Sequence, residues 1–153
     1  MDEARQRITI SNRKARHDYS ILEAWEVGIV LTGTEVKSLR KGNANLQDSY
    51  AELRNGEVWL EGMHISPYEQ GNINNHEPRR KRKLLLQKKQ IRKLIGSMKE
   101  KGLTLIPLSV YFKGPYAKVE LSLARGKKSY DKREAIAKRD AERNIARIKR
   151  SRT

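Results

Sequence analysis

From Arg125 onward the chain has almost nothing with which to build a core: its large apolar groups there are Ile136, Ile145, Ile148 and the ring of Tyr130. Such a segment cannot bury enough surface to offset the entropy lost on ordering it. A hydrophobic core must therefore come from residues 1–124, enough for one domain of ordinary size. What residues 125–153 offer instead is charge, with 12 Lys and Arg against 4 Asp and Glu. Helical periodicity is present there nonetheless, since Ala137, Ala141, Ile145 and Ile148 fall on one stripe. The expectation is a basic tail that becomes helical when it binds a surface.

A second basic run, residues 79–93 (RRKRKLLLQKKQIRK), holds 9 basic residues and no acid. Together the two segments carry 21 of the 34 basic residues, and the rest of the chain is near neutral with 13 basic and 14 acidic side chains. The net charge of +16 is therefore segmental rather than spread over the surface, the pattern expected of two contact regions for a polyanion. No apolar run approaches the ~20 residues that span a bilayer, so no membrane is expected as a partner. The opening MDEARQRITI lacks a secretory h-region, and the chain contains no Cys, which excludes disulfides and thiolate sites and points to the cytoplasm.

Within residues 1–124, strand signals dominate. Residues 18–32 alternate at Trp25, Val27, Ile29 and Leu31 and read as one long strand. Gly33 breaks the pattern, Thr34 is the expected cap of a short helix carrying Val36 and Leu39, and Gly42 ends it. Asn55-Gly56, flanked by 49–54 and 57–62, predicts a hairpin with a type I′ turn. Residues 69–82 are too poor in apolar side chains to enter a core and read as a loop. Over 87–101, Ile91, Leu94, Ile95 and Met98 recur at helical spacing, and two further strands flank Gly114-Pro115 within 103–124. The expected fold is mainly β with short helices: an OB-like antiparallel β-barrel over 1–124, followed by the tail over 125–153.

Catalytic signatures are missing from this pattern. His17, His64 and His76 have no partner at i+3 or i+4 that would suggest a metal pair, and no G-x-S-x-G occurs. Gly126-Lys127-Lys128-Ser129 ends like a phosphate-binding loop but lacks its upstream glycine. No cofactor, metal or catalytic residue is therefore expected. Positive signals favour RNA: Lys14 and Arg16 suit phosphates, while His17 and Tyr19 beside them can stack on unpaired bases. Two alternatives stay open on these residues alone, a general basic OB-fold RNA-binding protein of the ribosome or of translation initiation, and a nuclease whose carboxylates are distant in sequence.

Several strings taken together resemble a known family. They are Asn12-Arg13-Lys14-Ala15-Arg16-His17-Asp18-Tyr19, Trp25-Glu26-Val27-Gly28, Thr32-Gly33-Thr34-Glu35-Val36-Lys37-Ser38-Leu39-Arg40, Asp48-Ser49-Tyr50, Arg82-Lys83-Leu84-Leu85-Leu86 and Gly126-Lys127-Lys128-Ser129-Tyr130-Asp131-Lys132-Arg133. Spread in order over nearly the whole chain, they resemble small protein B (SmpB), the SsrA-binding family of bacterial trans-translation. The resemblance implies an RNA-binding adaptor that takes the tRNA-like domain of transfer-messenger RNA (tmRNA) to stalled ribosomes for rescue and nascent-chain tagging. It implies as partners the small ribosomal subunit with its RNA and, with no motif of its own in the chain, elongation factor Tu. By matching position it places Glu26, Leu85 and Lys118 at RNA and Asp131, Lys132 and Arg133 in the ribosome-interacting tail. The full expected RNA-binding set is Asn12, Lys14, Arg16, His17, Tyr19, Glu26, Lys37, Arg40, Lys83, Leu85 and Lys118. The expected tail set is Lys127, Lys128, Tyr130, Asp131, Lys132 and Arg133, with Tyr130 standing where some members carry His.

Overall fold

The computed structural model describes residues 7–69 and 75–127. In chain order the elements are β1 (Arg7–Ser11), α1 (Arg13–Asp18), β2 (Tyr19–Ile29), α2 (Gly33–Arg40), β3 (Ala44–Asn45), β4 (Tyr50–Arg54), β5 (Glu57–Glu61), β6 (His64–Ile65), β7 (Arg82–Leu85), α3 (Lys88–Ser97), β8 (Leu103–Lys113) and β9 (Tyr116–Gly126). Every pairing is antiparallel, and the order β8-β4-β5-β7-β2-β9 closes on itself because β9 also pairs with β8. The result is a mostly β fold whose six-stranded ring has β1 added alongside β8, with β3 and β6 forming a separate two-stranded ladder.

Alternation decides which side chains fill the ring. Val27 and Ile29 of β2, Val58 and Leu60 of β5, Leu84 of β7 and Val119, Leu121 and Leu123 of β9 point inward and are buried, together with Leu39 of α2 and Leu94 of α3. The side chains between them in sequence face outward. The Asn55-Gly56 hairpin forms as expected, with φ of 51° and 76° at the two turn residues, the positive pair a type I′ turn needs. The two strands about Gly114-Pro115 also form, the second running to Gly126, two residues beyond the boundary expected at 124.

Three local expectations are corrected. Thr32, not Thr34, caps α2: its hydroxyl accepts from Glu35 N–H while the Glu35 carboxylate accepts from Thr32 N–H (2.8 Å), a reciprocal capping box. The Thr34 hydroxyl is instead bonded to His76 Nδ1 (2.9 Å), whose Nε2 donates to the Ile65 carbonyl (2.8 Å). The described part of the expected loop 69–82 does reach the interior, because His76 and Arg82 are buried. Arg82 is fully enclosed, its Nε donating to Glu35 Oε2 and its terminal nitrogens to the carbonyls of Met63 (2.7 Å) and Pro78 (3.1 Å), so polar partners replace the apolar surface the segment lacks. Finally, α3 stops at Ser97 and Ile95 is exposed, the core being served by Leu94 with Ile91 and Met98 half-buried beside it.

Residues 13–18, partly assigned to a strand by the sequence, form α1. The helix lies outside the ring, where Ala15 packs against Ile106 and Leu108 of β8 and Ala124 of β9, with Tyr19 and Ile21 at the margin. Residues 128–153, and with them the expected helical tail, lie outside the described residues.

Candidate nucleic-acid interface

Strand register brings the dispersed positions 26, 85 and 118 onto one outward face. Gly28 of β2 is paired with Lys118 of β9 on one side and Leu85 of β7 on the other, and Lys118 is paired in turn with Tyr111 of β8. Tyr111, Lys118, Gly28 and Leu85 thus stand abreast across four neighbouring strands. Glu26, two residues before Gly28, projects from the same side of β2. Next to it across the strands lies Glu120, which binds Arg16 of α1 (3.0 Å).

Gly28 gives this row its relief. A Cβ at that position would sit 3.3 Å from the Leu85 Cβ, so the leucine side chain lies over the space a side chain would occupy. Leu85 is 52% exposed, and Val30 beyond it on β2 is also exposed. A shallow trough therefore separates an apolar ridge at Leu85 from a cation at Lys118. Lys118 enters none of the described hydrogen bonds or ion pairs. Such a surface suits a sugar or base edge against the ridge and a phosphate at the lysine.

Glu26 is held rather than loose. Its Oε2 accepts from the Tyr111 hydroxyl (2.7 Å), and Lys113 Nζ lies 3.4 Å from Oε1. The Tyr111 bond, followed by the charges of Lys113 and Lys118, keeps the carboxyl below the usual carboxylate value, although its partial burial works the other way. Burial and the same bond push the Tyr111 phenol upward, so at neutral pH the pair is a carboxylate accepting from a phenol. A fixed carboxylate cannot attract phosphate, but it accepts hydrogen bonds from a ribose hydroxyl or an exocyclic amine.

The other expected positions are distributed around this face. Lys14, Arg16 and His17 are exposed on α1, with Lys14 paired to Asp48 (3.1 Å) and His17 Nδ1 3.1 Å from Asp18. Asn12, expected at RNA, is instead buried: its Oδ1 accepts from Ala15 N–H (3.2 Å) and its Nδ2 donates to the Pro107 (2.9 Å) and Leu46 carbonyls, so it contributes by fixing α1. Lys83 faces outward on β7 near Glu57 (3.4 Å). Lys37 and Arg40 belong to α2, where they lie over the rings of Tyr68 (5.4 Å) and Phe112 (4.1 Å) rather than on strands β2, β7 and β9. Lys127 N–H donates to the Asp18 carbonyl (2.9 Å), so the chain leaves β9 beside α1, whereas Lys128, Tyr130, Asp131, Lys132 and Arg133 lie outside the described residues.

Sequence reasoning missed Gly28 and Tyr111, which complete the row, and Glu35, which supports it from within. The Glu35 carboxylate is fully buried and accepts from Thr32 N–H, Arg80 (2.6 Å) and Arg82. Burial alone would raise it, yet the Arg80 bond, the Thr32 amide and Arg82 together hold it below its ordinary value. Arg82 starts β7, so this ion pair anchors the strand that carries Leu85.

Fold and face define a class: a small closed ring of antiparallel strands whose outer surface combines a lysine, a fixed carboxylate and an exposed leucine. The SmpB protein family model matches residues 9–151. The chain is 63% identical over 147 residues to the SsrA-binding protein of Carboxydothermus hydrogenoformans, covering 96% of this chain and 99% of that one. It is 65% identical over 145 residues to the SsrA-binding protein of Desulforudis audaxviator, with 95% of each covered. A solved structure described as "tmRNA-SmpB: a journey to the center of the bacterial ribosome" contains a chain with a TM-score of 0.68 and 54% identity, covering 83% of this chain and 93% of that chain. The protein belongs to the SmpB family.

Proposed function

We propose that the protein is a non-enzymatic RNA-binding adaptor that binds the tRNA-like domain of tmRNA and brings it to stalled ribosomes for trans-translation, acting in the cytoplasm with the small ribosomal subunit and elongation factor Tu as further partners. The observation that carries the reading is the convergence of Glu26, Leu85 and Lys118 about Gly28 on one outer face, in a chain whose near full-length relatives are SsrA-binding proteins. Phosphate is taken by Lys118, with Arg16 and Lys113 nearby, the sugar or base edge lies against Leu85, and Glu26 accepts a hydrogen bond that a 2′-hydroxyl can supply. The tail from Lys127 acts as the second element, its basic residues meeting ribosomal RNA.

The test is capture of the protein from cells followed by sequencing of the RNA bound to it. A single dominant tmRNA is expected. A broad spread of RNAs would favour a general basic binder of the ribosome, and magnesium-dependent RNA cleavage lost on replacing carboxylates would favour a nuclease.

A further inference from the structure

Beside α1 there is a cleft of about 220 Å³ that the row through Gly28 does not use. Tyr19, Tyr50 and Ile106 supply apolar lining, and Lys14, Asp48 and Thr104 supply polar groups. Tyr50 is 40% exposed on β4 even though the same strand places Ala51 in the core, so its ring is left at the surface beside the opening. The volume falls below the ~300–1,000 Å³ of sites for drug-sized ligands and suits one planar ring system.

We propose that this cleft receives a single unpaired nucleobase of the RNA bound at the Glu26–Lys118 row. Aromatic rings give a base a stacking partner whatever its identity, while a lysine, a carboxylate and a hydroxyl at one site offer both donors and acceptors to its edge. Continuity with the row comes from Arg16: it bridges from α1 to Glu120, the cross-strand neighbour of Glu26, so a strand tracking the row passes Arg16 and arrives at α1. Arg13 and His17 are exposed on the same helix, and the Lys127 N–H is bonded to the carbonyl of Asp18, a lining residue, so the helix that walls the cleft also carries cationic and ring groups that can meet the flanking backbone. The inference rests on the proposed RNA-binding function and adds to it a second, base-holding site.

The test uses the full chain with the tRNA-like domain of tmRNA carrying 2-aminopurine at each unpaired position in turn. One position is expected to lose several-fold of its fluorescence on binding wild-type protein, through stacking. Tyr50→Ala should restore that fluorescence and weaken binding about tenfold, whereas Tyr50→Phe, which keeps the ring, should behave as wild type. An abasic residue at the same position should weaken wild-type binding as Tyr50→Ala does and add little to that variant. Tight wild-type binding with no position whose fluorescence depends on Tyr50 overturns the cleft while leaving the row intact. No binding of this RNA by wild-type protein, with its thermal transition normal, overturns the underlying reading and the cleft with it.

Discussion

Glu35→Gln isolates the buried ion pair, because it removes the charge and keeps the shape. The glutamine oxygen can still accept one hydrogen bond, but its NH₂ faces a guanidinium that can only donate. Arg82, with no solvent exposure, then retains its bonds to the Met63 and Pro78 carbonyls and loses its counter-charge. Removing one partner of a buried pair costs about 3–5 kcal/mol. At a few degrees per kcal/mol for a domain of this size, Tm should fall by roughly 10–20 °C. Differential scanning calorimetry at pH 7 measures this directly. The pH dependence adds a second signature. The folded carboxyl of Glu35 lies below its ordinary value of 4.5, so its stabilisation is complete above that pH and is lost as pH falls through the folded value. The variant's Tm deficit should therefore shrink on acidification below pH 4.5. A variant whose Tm lies within 2 °C of wild type at pH 7, or whose deficit is the same at pH 3 and pH 7, would refute the reasoning.

Three further perturbations separate stability from recognition. Glu26→Gln should weaken binding of the tRNA-like RNA by about 1.5–3 kcal/mol, as expected for a hydrogen bond to a charged group, and should do so less for a 2′-deoxy ligand, measured by filter binding or calorimetry. Gly28→Val should displace Leu85 outward and reduce RNA affinity by tenfold or more while changing Tm little, because Leu85 is exposed and has room to move; unchanged affinity would remove the trough from the interface. Truncation after Lys127, the last described residue, whose backbone N–H is bonded to the Asp18 carbonyl, should leave tmRNA binding intact and abolish tagging of stalled nascent chains in a translation extract.

The legibility of the fold follows from where periodicity is strong. Asn55-Gly56 and the alternation at Trp25, Val27 and Ile29 carry their structure locally, so the hairpin and β2 were readable. In β8, Leu105 to Phe112 are all buried, the ring covering one side and α1 with its neighbours the other, so no alternation marks Tyr111 as outward-facing. Arg82 sits in a run of basic residues indistinguishable from a solvated one, and only the three-dimensional meeting with Glu35 shows otherwise. Glu35 itself did leave a signal, since Thr32-Gly33-Thr34-Glu35 is a capping-box string that also places the cap correctly. Gly28 could not be found from sequence because its role depends on which residues register beside it. The Glu26, Leu85 and Lys118 positions came from family resemblance; burial arguments alone would have put Leu85 in the core.

The central claim is that the row through Gly28 meets RNA with Lys118 on a phosphate. The most direct measurement is the affinity of wild-type protein and Lys118→Ala for the tRNA-like domain of tmRNA over a salt series. One lost phosphate contact should weaken binding and make the slope of log K against log salt concentration shallower by about one unit. Wild-type affinity and an unchanged slope in a normally folded Lys118→Ala protein would contradict the account.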